Sequence, residues 1–224
     1  MQELRQSALQ ALLAPTPAEK VALVNALRDV DATVDPALDL PPVANPGRPA
    51  RPALVAPARV PRRGTGSREG RAALVHAIAH IEFNAINLAL DAVARFSGLP
   101  DAYYRDWWRV AREEALHFSM LDAHLATLGH AYGDFPAHDG LWSAAHKTAD
   151  DCLARMGLVP RILEARGLDV TPGMRARLLA AGDTAAAGIL DIILRDEIGH
   201  VAIGNHWFRH LCAERALEPA ETFR

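Results

Sequence analysis

Residues 190–208 read LDIILRDEIGHVAIGNHWF, an apolar run interrupted by Glu197 and, three residues on, by His200. On a helix, positions i and i+3 lie one turn apart on the same face, so both side chains look in one direction. Residues 113–117, EEALH, repeat the arrangement: Glu114 stands three before His117, and the two glutamates are 83 positions apart. A solvated face would account for one such pair. Two pairs, each set in an apolar helix, point to side chains that meet inside a bundle and hold something there.

If the two helices face each other, two carboxylates and two imidazoles converge. A four-helix bundle with Glu-x-x-His on two helices and one glutamate on each of the other two is the pattern of a di-iron or di-manganese carboxylate site. The remaining helices should therefore each supply one inward glutamate. The segment 80–90, HIEFNAINLAL, offers Glu82, whose helical neighbours Ile78, Ala85, Ile86 and Ala89 are apolar. An ionised carboxylate in such a stripe costs several kcal/mol unless it is partnered. The third helical region offers Glu164, the weakest member, close to the expected helix end and downstream of Pro160. Glu82 and Glu114 are 32 residues apart, and Glu164 and Glu197 are 33 apart, so the ligand pattern repeats in the two halves of the chain. Carboxylates are hard ligands able to bridge two cations, and each neutral imidazole adds one nitrogen donor. The candidate metal ligands are Glu82, Glu114, His117, Glu164, Glu197 and His200.

The acids preceding the ligand glutamates fit a supporting role, since a metal-bound histidine usually donates its other N–H to a carboxylate or carbonyl. Asp196 is expected to orient His117, and Glu113 to orient His200, across the bundle. His124, seven after His117, shares its face and is expected to make an outer hydrogen bond near the site. His76, His80 and His206 fall off the ligand faces and read as packing or surface residues. Tyr103, Tyr104, Trp107 and Trp108 read as core or interface aromatics.

The surrounding chain suits an all-α fold. Half of the 224 residues are hydrophobic, and alanine and leucine dominate over β-branched and aromatic types. Four long helices are expected. The first covers 68–98, with Gly98 and Pro100 as stops, and the second covers 101–130, opened by Asp101 as a cap. The third runs from about 142 to 166, ended by Gly167 and bent at Gly157 and Pro160, with residues 171–182 as a separate short helix opened by Thr171 and Pro172. The fourth covers 183–215, capped by Asp183. Short loops make these two antiparallel hairpins.

The domain reading is a helical segment at 1–34, with Thr16, Pro17 and Glu19 forming a helix start; a Pro/Arg-rich stretch at 35–66; the bundle at 67–214; and a tail at 215–224. Eight of fifteen prolines lie between Asp35 and Gly70, which forbids a continuous helix there. Seven arginines stand against one acid between Arg48 and Arg71, leaving three readings: a solvated linker, a strap over the bundle, or a basic arm for an anionic substrate.

A net charge of −3 gives no general reason to expect nucleic acid. Two cysteines, Cys152 and Cys212, outside any C-x-x-C, argue against a disulfide scaffold or thiolate zinc site. The first fifteen residues lack the apolar run of a secretory signal, and no uninterrupted apolar stretch of membrane-spanning length stands out. A soluble cytoplasmic protein is expected.

Residues 62–214, carried by RRGTGSREGRAALVHAIAHIEFNAINLALD, REEALHF and ILRDEIGHVAIGNHWF, resemble the ferritin-like di-iron carboxylate superfamily, and within it a bacterial branch of uncharacterised function. The chain is also similar to tRNA hydroxylases acting on a modified adenosine. The resemblance implies ligation by the same six residues and supplies no substrate. The leading expectation is an O2-dependent oxidase or hydroxylase holding two metal ions, iron first, with manganese or a mixed pair as alternatives. Its partners would be O2, a small-molecule or modified-nucleotide substrate and an unidentified electron donor, with no membrane and with a homodimer left open. The Pro/Arg segment and helical prefix argue against cage-forming iron storage, and no aromatics interleave with the arginines as nucleic-acid stacking would want. The alternative class is a metal-binding or scaffolding bundle without turnover.

Overall fold

The computed structural model describes residues 2–61 and 64–223, with Asp29 described by its backbone alone. Arg62 and Arg63, which open the stretch carrying the family resemblance, lie outside the described residues. The regular elements are helices: α1 Leu4–Leu13, α2 Pro17–Ala26, α3 Arg68–Arg95, α4 Asp101–Thr127, α5 Gly140–Lys147, α6 Cys152–Leu158, a π-helical turn Val159–Glu164, α7 Ala165–Ala180, α8 Thr184–Glu214 and α9 Pro219–Thr222. The chain is all-helical, and its long helices pack as a bundle.

Each long helix starts for a local reason. Ser67 accepts from the Gly70 N–H to cap α3, and Asp183 accepts from the Ala186 N–H to cap α8, which satisfies donors the helix itself leaves unpaired. The α2 cap is the expected one, with Thr16 accepting from the Glu19 N–H. For α4 the N-cap is Pro100, and Asp101 sits in the first turn without a capping bond. Its charge there still complements the helix dipole. α3 is buried on nearly every side because α1 and α4 both pack on it. By length and composition it could cross a membrane, but most of that window is enclosed by protein, as expected of a core helix.

The third arm departs from expectation. It breaks after α5, resumes at α6, widens into the π turn at Pro160, and then runs through Gly167 and Pro172 to Ala180. Residues 171–182 are thus largely the continuation of one helix rather than a separate insert. Pro160 has no N–H to donate and its ring crowds the preceding turn, and a wider turn accommodates both. The facing helix is shaped for it: a Cβ on Gly204 of α8 would overlap the Pro160 ring.

The prefix and the Pro/Arg stretch are bound to the bundle. Buried Arg5 donates to the Val93 and Ala94 carbonyls at the end of α3 and to Leu38, and the Trp108 indole donates to the Leu27 carbonyl. Of the three readings of 35–66, the strap is the one observed for its described residues. Arg95 donates to Val43, Trp142 to Ala44, and Val55 N–H to Ala137, while Arg48 pairs with Asp139.

Candidate metal centre

Four elements bring the candidate ligands together. α3 carries Glu82, α4 carries Glu114 and His117, the last residue of the π turn is Glu164, and α8 carries Glu197 and His200. His117 and His200 are fully buried, as is Glu114, and Glu82 nearly so.

Glu114 is the hub. Its Oε2 lies 3.3 Å from His117 Nδ1, while its Oε1 lies 3.0 Å from His200 Nδ1. Glu82 Oε2 approaches His117 Nδ1 at 3.1 Å, and Glu197 Oε2 approaches His200 Nδ1 at 3.5 Å. Two triads result, Glu82–Glu114–His117 and Glu114–Glu197–His200, each with ligand atoms close enough to share one metal ion. Glu164 belongs to neither triad. Its Oε2 is buried without a hydrogen bond, and the residue lines a cavity of about 80 Å³ together with Glu82 and Glu197.

Both imidazoles turn Nδ1 toward the cluster and Nε2 away from it. His117 Nε2 meets Asp196 Oδ2 at 3.0 Å, and His200 Nε2 meets Glu113 Oε2 at 2.7 Å. These are the two cross-bundle contacts expected of the preceding acids. One partner escaped sequence reasoning: the adjacent Arg195 donates to both Asp196 oxygens, at 2.8 and 3.1 Å. Nothing in an exposed arginine beside an aspartate signals such a clamp. His124 is corrected. It bonds Asp183 at 3.0 Å, so it supports the cap of α8 instead of the ligand histidines.

The other histidines have packing roles. His76 accepts from the Gly133 N–H and stacks on Tyr132. His80 bonds the Tyr132 hydroxyl and the His138 carbonyl. The four aromatics of α4 are buried in the core.

Electrostatics follow from crowding like charges in a dry space. Burial, reinforced by the Glu114 charge, pushes Glu82 and Glu197 up, and burial with the Glu197 charge pushes Glu164 up to about 8. Burial would raise Glu114 as well, but hydrogen bonds from both imidazoles outweigh it and hold it below the usual range. Burial opposes protonation of the imidazoles, yet the surrounding carboxylates outweigh it, pushing His117 up to about 11 and His200 up as well.

The residues fit a pair of divalent metal ions on two grounds. Glu164 Oε2 is buried without a hydrogen-bond partner, and the buried Glu114 Oε1, Glu197 Oε2 and His200 Nδ1 face only one another, an expensive crowding unless another group occupies the space between them. The donor set is also right in kind, with the oxygen and imidazole donors that hold divalent metal ions and no thiolate among them.

Comparison with known proteins places the chain in a family. Residues 13–224 match the model of the family described as protein of unknown function (DUF455), and the chain belongs to that family. It is similar to an uncharacterized protein of Haemophilus influenzae (strain ATCC 51907 / DSM 11121 / KW20 / Rd), 50% identical over 227 residues, covering 95% of this chain and 79% of the relative. No solved structure matches.

Proposed function

We propose that this protein is a ferritin-like di-metal carboxylate protein, with iron as the metal pair, and that it acts as an O2-dependent oxidase or hydroxylase in the cytoplasm. One observation carries the reading: two Glu-x-x-His pairs and two further glutamates, from four elements, gather at one buried cluster in which Glu164 Oε2 has no partner. The ferritin-like type, and with it the kinship to tRNA hydroxylases, is part of the proposal.

A bound pair of redox-active metals would supply the electrons and Lewis acidity for O2 chemistry. This chain's residues do the rest. Glu114, which turns one oxygen to each imidazole, would serve both metal ions, with Glu82 and Glu197 each completing one triad. Asp196 and Glu113 fix the imidazole rings so that Nδ1 faces inward. Glu164, at the end of the π turn and outside both triads, would add a carboxylate from the cavity side. The apolar wall of the adjoining cavity, with Ile78, Leu190 and Ile193, limits water at the cluster.

Fe(II) added anaerobically and then exposed to O2 tests this directly. Two irons per chain, stoichiometric O2 consumption and a transient near-ultraviolet or visible absorption are expected. Metal that binds without O2 uptake or colour would leave a metal-binding bundle without turnover, and no metal uptake at all would defeat the reading.

A further inference from the structure

The cavity at the carboxylates does not stand alone. A second one, of about 470 Å³, opens toward solvent, and it shares a wall of Ile81, Leu141, Leu163, Gly167 and Val170 with the first. Its volume lies in the range of small-molecule sites, roughly 300–1,000 Å³. Ile81 and Val170, which line both cavities, are 48% and 44% exposed, so the way in is apolar. Arg166 carries the only permanent charge among the lining residues, and it has no hydrogen bond or ion pair among the described residues.

Gly167 adds an independent observation. It lies within α7, where glycine costs about 1 kcal/mol relative to alanine, and a Cβ built on it meets nothing within 4 Å. Packing does not require the glycine. Its missing side chain leaves open space in the wall common to both cavities.

We infer that the outer cavity is the substrate site, and that it takes an elongated apolar molecule ending in a single carboxylate, with the head group on Arg166 and the tail passing Gly167 toward Glu82 and Glu164. The inference rests on the proposed metal centre only for what happens at the inner end. Charge sets the direction of entry: the outer lining presents a guanidinium able to grip a carboxylate with two parallel bonds, while no Arg, Lys or His lines the inner cavity to hold one there. The side chains between are aliphatic and match a hydrocarbon chain.

Calorimetry on metal-free, full-length protein, with octanoate as the probe and octanol, octylammonium and adenosine monophosphate as controls, tests this apart from any turnover. Octanoate should bind, octanol more weakly, and octylammonium not measurably. Arg166→Ala should weaken octanoate by about tenfold or more, the weight of one charge-assisted hydrogen bond, and leave octanol unchanged. Gly167→Leu should weaken both octanoate and octanol while its melting temperature stays the same or rises, because a better helix former fills empty space. Octylammonium binding as well as octanoate, insensitivity to both substitutions, or tighter binding of adenosine monophosphate than octanoate would each overturn the assignment. Octanoate binding by a protein that takes up no iron would sink the proposed metal centre alone, and iron uptake without octanoate binding would sink this inference alone.

Discussion

The two halves of the ligand set share a spacing and differ in scaffold. In the first half, α3 and α4 are regular, unbroken helices, and Glu82, Glu114 and His117 already contact one another. In the second half, α8 is equally regular, but its partner is the broken arm α5–α6–π turn–α7, and Glu164 comes from the turn where the helix widens. Equal sequence spacing therefore does not produce equal geometry. The rigid half builds one complete triad, and the irregular half leaves a carboxylate without a partner facing a cavity. Irregular backbone of this kind is common where a helix must re-aim a functional side chain.

The largest effect should come from breaking the hub. Glu114→Ala removes the only ligand shared by both triads, so metal analysis should find binding at both positions lost, not halved. Retention of one tightly bound metal would show that the halves are independent. Next comes the comparison between the supporting acids. Asp196→Ala should lower metal affinity by about 10–100-fold, the usual weight of an outer carboxylate. Glu113→Ala should cost less, because Glu113 is 36% exposed and lacks an arginine clamp, whereas Asp196 is 15% exposed and held by Arg195. Undiminished metal affinity in Asp196→Ala would remove its orienting role.

A smaller effect is expected at the seam of the irregular half. Gly204→Ala places a methyl group against Pro160, and the overpacking should destabilise the fold by about 1–3 kcal/mol, read from chemical denaturation. It should also change iron affinity through Glu164, four residues along the turn. Unchanged stability would mean that the π turn relaxes freely and is not braced by α8.

The smallest effect concerns acid and the first half. Burial, partly offset by the hydrogen bond to the His138 carbonyl, lowers the His80 imidazole to about 4 from its usual 6.5. Between those values the unfolded chain binds a proton that the folded chain refuses. The stability tied to His80 is therefore complete above pH 6.5 and drains away as pH falls to about 4. Compared with His80→Gln, the wild type should lose on the order of 1–2 kcal/mol more across that window. Parallel pH profiles would refute the contribution of buried His80 to acid sensitivity.

Much of this site was visible in the chain. Charged residues in apolar helices are rare enough that each needs a reason, so Glu82, Glu114, His117, Glu197 and His200 stood out, and helical periodicity put each on an inward face. The supporting acids could be paired across the bundle for the same reason. Local signals were weaker wherever neighbours decide the outcome. Gly167 reads as a stop and Thr171 with Pro172 as a new helix start, yet α7 runs through all three because packing against α8 outweighs propensities of a few kcal/mol. His124 shares a face with His117, but the acid that reached it was the cap of α8. Arg195 could be read as nothing more than a surface charge.

By itself, the sequence determined that the chain is helical, where α3, α4 and α8 lie, and which carboxylates and imidazoles they turn inward, because period 3.6 and the cost of burying charge operate within a single helix. Only the tertiary structure decided that Glu114 lies between the two histidines, that Pro160 seats against Gly204, that the Pro/Arg stretch is a strap, and that the carboxylates adjoin a cavity with Arg166 at its mouth. Those features depend on how separate elements approach one another, and distances across a bundle are set by packing that no local pattern encodes.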